Sequence, residues 1–220
     1  MRFVASFSAG KDSMLALHKA LAAGHTCAGL LVMYNPDAGR SWFHGVEPAL
    51  LYALSAALGL PLLPCPAVGE QYHTAMEHCL REARADGAAA CVFGDLDIEE
   101  HRAWDEERCR AAGLTPLLPL WGMDREACVR ETLALGYTCL IKCVNNTLLP
   151  ERLLGEPLNA AMLEELRTYS VDLCGENGEY HTLAVDGPLF HHPVSYVKGE
   201  IVRLGQLSAI DIRAKGGAEP

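Results

Sequence analysis

The sequence predicts an α/β protein, with a parallel sheet carrying helices on both faces and a smaller α+β subdomain at the C-terminal end. Three observations carry this prediction. Apolar runs of strand length alternate with stretches of helical period through the first half of the chain, as in parallel strands joined by crossover helices. The alternation stops after about Trp121, where loops and glycine-punctuated extended segments take over. The 220 residues, half of them hydrophobic, suffice for a sizeable core, with no low-complexity linker or internal repeat to hold two parts apart.

Taken in order, residues 3–7 read as a buried strand and 12–23 as a helix with Leu15 and Leu21 on one side. Residues 28–33 form a second strand, 48–58 a helix and 62–66 a short strand. A third helix covers 70–84, a strand 89–93 and a fourth helix 99–112, followed by an extended stretch at 116–121. Beyond it come a helix at 125–135, a strand at 138–142, a loop through Asn145, Asn146 and Pro150, and a helix at 159–168. The last fifty residues are extended, 194–204 among them, and end in a loose tail, AKGGAEP. The expected division is residues 1–122 and 123–220.

The formal net charge of −10 opposes broad nucleic-acid binding, which needs a surplus of cations to neutralise phosphates. No apolar run approaches a membrane span, and the N-terminus turns polar too early for a signal peptide, so a cytoplasmic protein is expected. Nine cysteines are present without a C-x-x-C pair. Several lie in apolar runs, such as Cys91 and Cys139, and read as reduced, buried thiols.

The first strand ends in Ser6-Phe7-Ser8-Ala9-Gly10-Lys11-Asp12-Ser13 and a helix begins at once. A helix that starts at the carboxyl end of a parallel strand presents unpaired N–H groups and positive dipole density, which suits phosphate. Gly10 is expected to adopt angles that aim successive N–H groups at one anion. Ser8 and Ser13 add hydroxyls and Lys11 a charge, while Asp12 either holds a metal ion or caps the helix. The spacing is neither G-x-x-x-x-G-K-[ST] nor G-x-G-x-x-G. A second constellation, Cys174-Gly175-Glu176-Asn177-Gly178-Glu179-Tyr180-His181-Thr182, lets the backbone approach a ligand at two glycines. Its carboxylates could hold Mg²⁺, orient an amine or accept a proton; alternatively it is a solvated polar hairpin.

The first loop closely resembles the S-G-G-x-D-S pyrophosphate loop (PP-loop) of the N-type ATP pyrophosphatases, a superfamily of adenine nucleotide alpha hydrolases, with Ala9 where that family has its first glycine. Joined to the late G-E-x-G-E-[YF]-x-T segment, it resembles the diphthine–ammonia ligase family. Gly94-Asp95, Pro119-Leu120-Trp121 and Gly187-Pro188-Leu189-Phe190 match further positions of that family. The resemblance implies that Ser8, Ala9, Gly10, Lys11, Asp12 and Ser13 bind the phosphates of ATP, with Gly94 and Asp95 near the nucleotide. It also implies that Gly175, Glu176, Gly178, Glu179 and His181 face the acceptor. The implied catalytic residues are Lys11, Asp12, Glu176 and Glu179, with Mg²⁺ at Asp12. The implied reaction adenylates a carboxylate on a protein or small molecule, transfers ammonia from ammonium, and releases AMP and pyrophosphate.

The stretch Asp95-Leu96-Asp97-Ile98-Glu99-Glu100-His101-Arg102 resembles bacterial members of the family, which implies an acceptor other than diphthine. His101 and Arg102 either contact a ligand or lie on an exposed helix face. Trp42, Phe43 and His44 fall in a long loop, 35–45, where such folds place adenine or acceptor contacts. His191 and His192, adjacent on an extended chain, point to opposite faces and read as surface residues. Two other functions fit the same fold. One is a transferase that thiolates tRNA, opposed by the acidic balance and the missing cysteine pair. The other is a nucleotide sensor, which has no need of the glutamate-rich segment. Exposed strands in the C-terminal part leave room for a homodimer.

Overall fold

The computed structural model describes residues 1–216. The first sheet is built from β1 (Arg2–Ser6), β2 (Thr26–Asn35), β3 (Arg40–Ser41), β4 (Leu62–Pro66), β5 (Ala90–Val92) and β6 (Thr115–Leu117). The strands run in the order β3-β2-β1-β5-β6, with β4 also paired to β2. All pairings are parallel except the short β2–β3 contact. The chain leaves β1 on one side to make β2 and β4, then returns to make β5 on its other side. This reversal of strand order opens a crevice at the carboxyl end of β1.

Helices α1 (Lys11–Ala22) and α2 (Pro48–Leu58) share one core with the first sheet, while α3 (Tyr72–Ala85) and α4 (Glu99–Ala112) cover the other face. The alternation of β1 is the reason: Phe3 and Ala5 point into the first core and Val4 into the second. Each helix carries its own punctuation. Pro48 opens α2, and the left-handed Gly59 and Gly113 close α2 and α4.

After α5 (Arg125–Ala134), whose N-cap Asp124 accepts from the Ala127 N–H, the architecture changes. Strands β7 (Thr138–Asn145), β8 (Tyr180–Asp186), β9 (Tyr196–Leu204) and β10 (Leu207–Ala214) form an antiparallel sheet in the order β8-β7-β10-β9, with α6 (Ala160–Thr168) beside it. The core on the α1 side is continuous with this sheet, joining Met14 and Leu17 to Ile141, Leu163 and Leu183. Because α1 lies between the two sheets, it buries residues on most of its circumference, including Lys11 and Ser13.

Three expectations need correction. The extended stretch at 116–121 stops at Leu117, and Pro119-Leu120-Trp121 forms a turn that buries Leu120 and ends at Gly122, whose φ is +75°. The 35–45 loop contains β3. The expected tail begins with the last residue of β10, and 217–220 lie outside the described residues.

Candidate active site

A cavity of about 580 Å³ lies at the carboxyl ends of β1, β2 and β5, a size typical of small-molecule sites. Ser8, Lys11, Asp12 and Ser13 line it from the first loop, Gly94 and Asp95 from the end of β5, and Gly175, Glu176, Gly178 and His181 from the second constellation. Ser13 of the first loop and Gly175 of the second constellation, 162 positions apart in sequence, thus meet because β8 is stitched to the first loop. The Ala184 N–H donates to the Ala9 carbonyl at 2.8 Å, and the Lys11 N–H donates to the Thr182 hydroxyl at 3.0 Å.

Within the loop, the turn is made by Ala9, whose φ is +65°. Gly10, at φ −83°, is in an ordinary conformation. The expectation that Gly10 supplies unusual backbone angles is therefore corrected; its need is space. A side chain on Gly10 would stand 2.6 Å from the His44 imidazole. Gly94 likewise abuts the backbone of Asp12 and Ser13, 2.9 Å from an added Cβ. Neither Ala9 nor Gly10 lines the cavity; they shape it from behind. Ser8 and Ser13 are linked hydroxyl to hydroxyl at 3.2 Å. Asp12 does not cap the helix, since the N-cap is Gly10 without a side-chain bond. Its carboxylate accepts from the Lys11 ammonium at 2.6 and 2.8 Å. Burial works against the Lys11 charge, but Asp12, with Tyr180, Cys174 and Glu176, outweighs it and holds the pKa well above the usual lysine value.

The two glutamates of the second constellation have different fates. Glu176 faces the cavity, and burial, aided by the charges of Asp12 and Asp95, pushes its carboxyl up to about 7. Glu179, expected to face the acceptor as a catalytic group, is 5% exposed and turned into its own loop. It accepts from the Asp172 N–H, the Asn177 N–H and the Asn177 amide at 3.0–3.2 Å. The physical reason is local: the tight turns at Gly175 and Gly178, with φ +77° and +84°, leave N–H groups that a buried carboxylate satisfies. Asp172 does the same for the Cys174 and Glu176 N–H groups. Arg125 anchors the whole loop, bridging Asp172 at 2.6 Å to Asp97 at 2.7 and 2.8 Å.

Sequence reasoning missed Asp172, Arg125 and half of an aromatic wall, Tyr72 and Trp104. Tyr72 at the start of α3 meets Trp42, Phe43 and Trp104 edge-on or tilted, with ring centres 5.5–5.9 Å apart. All four line the cavity. His101 joins them, held by Asp95 at 3.1 Å, whereas Arg102 stacks over Trp121 and bonds Glu106. His44 packs on His181, and burial lowers both pKa values, so both imidazoles are neutral near pH 7. His191 lies against Gly59 and His192 bonds the next carbonyl, so the pair forms no joint site.

Asp12, Asp95 and Glu176 interact electrostatically around one lysine. Their donor oxygens do not gather within 4.8 Å of one another; among the described residues that closeness is reached by Asp12, Cys128 and Cys174. None of the described helices is long and apolar enough to cross a membrane.

A family model described as the diphthamide synthase N-terminal domain matches residues 1–116, and one described as the C-terminal domain matches 124–215. Diphthine–ammonia ligase of Danio rerio is 29% identical, over 86% of this chain and 84% of that protein. The Homo sapiens protein of the same name is 27% identical, over 92% and 85%. Among solved structures, a predicted subunit of tRNA methyltransferase from Methanocaldococcus jannaschii overlays with a TM-score of 0.46 at 14% identity, over 88% of this chain and all of that one. That likeness is too loose to bear on activity. The two family models together span nearly all of the described chain, and the protein belongs to the diphthamide synthase family.

Proposed function

We propose that this protein is an ATP-dependent carbon–nitrogen ligase that adenylates an acceptor carboxylate and transfers ammonia to it, releasing AMP and pyrophosphate. The coarser part of this reading, a ligase using ATP, rests on family membership and on relatives named diphthine–ammonia ligase. The observation that carries the finer part is the meeting of Ser8–Ser13 with Glu176 across one cavity.

In this reading the Ser8 and Ser13 hydroxyls, the Asp12 and Ser13 N–H groups and the Lys11 ammonium hold the outer phosphates as a leaving group. The apolar end of β2, Leu31 to Met33, and the aromatic wall enclose the base and the acceptor. Asp12 would hold Mg²⁺, which would supply charge to offset that of the phosphates. Glu176, with a carboxyl near 7, is placed to take a proton from ammonium or from the attacking amine. Glu179 and Asp172 act as positioning residues that keep Glu176 turned to the cavity. A sensor would not need a perturbed carboxylate opposite the phosphates.

Residues 1–122 would supply the nucleotide site and 123–220 the acceptor side. The protein would work in the cytoplasm. A second copy would pair along β9, an edge strand exposing Val197, Ile201, Val202 and Leu204.

The test supplies ATP, Mg²⁺, ammonium and a carboxylate acceptor, beginning with elongation factor two carrying diphthine. AMP and pyrophosphate formed together support the proposal, and amide product identifies the acceptor. ADP and phosphate as products would refute it.

A further inference from the structure

Beneath the first loop lies a cluster of which the ligase reading uses Asp12 alone. Cys128 of α5 and Cys174 of the second constellation are both buried, at 0% and 1% exposure, with their sulfurs within 4.8 Å of each other. Both thiols approach the same oxygen of Asp12, at 4.0 Å from Cys128 and 3.7 Å from Cys174. All three donor atoms lie within 4.8 Å of one another.

We propose that Asp12, Cys128 and Cys174 form a binding site for a thiophilic divalent ion of the Zn²⁺ type, and that occupation of this site shuts off the phosphate loop. Three arguments support it. The first is geometric. Tetrahedral zinc with sulfur ligands at about 2.3 Å and an oxygen ligand at about 2.0–2.2 Å has donor separations of about 3.5–3.8 Å, so the three side chains need to move by only a few tenths of an ångström to about one. The second is donor chemistry. Two thiols and one carboxylate suit Zn²⁺, Co²⁺ or Cd²⁺ and do not suit Mg²⁺, which takes oxygen donors. The third is charge. Two thiolates, one carboxylate and a divalent cation sum to −1, and the Lys11 ammonium, 2.6 Å from Asp12, brings the buried assembly to neutrality.

Access and consequence follow from placement. Asp12 and Cys174 line the cavity, so an ion enters from it and its fourth position faces it, as in metal sites that keep an open coordination place. Binding converts two thiols to thiolates and releases two protons to solvent. Because both thiols converge on Oδ1 of Asp12, the ion removes that oxygen from the side where Mg²⁺ and phosphate would use it. The other interacting thiol pairs, Cys65 with Cys79 and Cys91 with Cys109, have no third donor within reach among the described residues.

The test is a Co²⁺ titration of the full chain, reduced with a phosphine and free of nucleotide, so that its result stands apart from whether the protein turns over ATP. The expected result is a sulfur-to-cobalt charge-transfer band that saturates at one ion per chain and bleaches on adding Zn²⁺. Cys128→Ser and Cys174→Ser should each abolish it. Asp12→Asn, a near-isosteric change at a side chain 26% exposed, should weaken Co²⁺ binding at least about tenfold, the scale on which lost metal contacts act. Absence of the band in the wild type, or an unchanged band in the serine variants, would overturn the proposal. Should the serine variants fail to fold by circular dichroism, unchanged Co²⁺ affinity in Asp12→Asn would overturn it alone.

Discussion

The two loops that meet at the cavity handle their charges in opposite ways. In the first loop, Ser8 to Ser13, the polar groups point outward: Lys11, Asp12 and both serines line the cavity, and the buried backbone behind them is held by β8. In the second loop, 172–179, most polar groups are turned inward. Asp172 and Glu179 satisfy the loop's own N–H groups, and Glu176 alone among its carboxylates faces the cavity. A helix start already carries free donors, so its loop can present side chains to a ligand. A loop of tight glycine turns has no such surplus and must first satisfy itself. Two glutamates three residues apart therefore differ in kind, one facing the cavity and one satisfying its own loop.

The largest effect that sharpens this contrast is expected from Asp12→Ala. It removes the carboxylate and frees Lys11 from its partner, and pyrophosphate release should fall about 10²–10³-fold, as for loss of a preorganised charged group. A fall of less than about tenfold would break the outward-facing reading of the first loop.

Glu176→Gln comes next, with a loss of about 10²-fold in turnover. It has a pH signature as well. Burial pushes the Glu176 carboxyl up to about 7, above its ordinary value of 4.5. Between these values the folded state keeps a proton that the unfolded state releases, so this group makes stability fall as pH rises. Glu176→Gln should therefore be more stable than the wild type above pH 7, and the gain should vanish below about pH 4.5. The rising limb of kcat/KM near pH 7 should disappear in the variant. Thermal melts and pH–rate profiles check both.

Glu179→Gln should act mainly on stability. Putting an amide nitrogen against N–H donors leaves at least one unsatisfied, at a cost of about 1–3 kcal/mol. Turnover of the folded fraction should drop less than in Glu176→Gln; the reverse order would make Glu179 the chemical residue.

The smallest effect is expected from Ala9→Gly. Relief of the left-handed conformation is worth about 1 kcal/mol, lost burial of a methyl group about 0.8 kcal/mol, and added freedom of the unfolded chain about 0.4–1 kcal/mol. These nearly cancel, so urea melts should differ by no more than about 1 kcal/mol.

What could be read from the sequence follows the range of the interactions. The strand–loop–helix at Ser8–Ser13 and the alternation up to Leu117 are local patterns, and the structure carries both. The need for Gly10 was not legible, because a glycine looks the same whether it supplies an angle or makes room for His44. The role of Glu179 was hidden because spacing does not say which way a carboxylate turns. The aromatic wall draws Trp42, Tyr72 and Trp104 from three elements. Cys128 and Cys174 are 46 residues apart, so no short-spacing rule could join them.

The most direct measurement is a crystal structure grown with ATP and Mg²⁺. The account predicts the β- and γ-phosphates within hydrogen-bonding distance of the Ser8 and Ser13 hydroxyls and the N–H groups at the start of α1, with the α-phosphate turned toward Glu176. A nucleotide whose phosphates lie away from Ser8–Ser13, or whose α-phosphate faces away from Glu176, would contradict it.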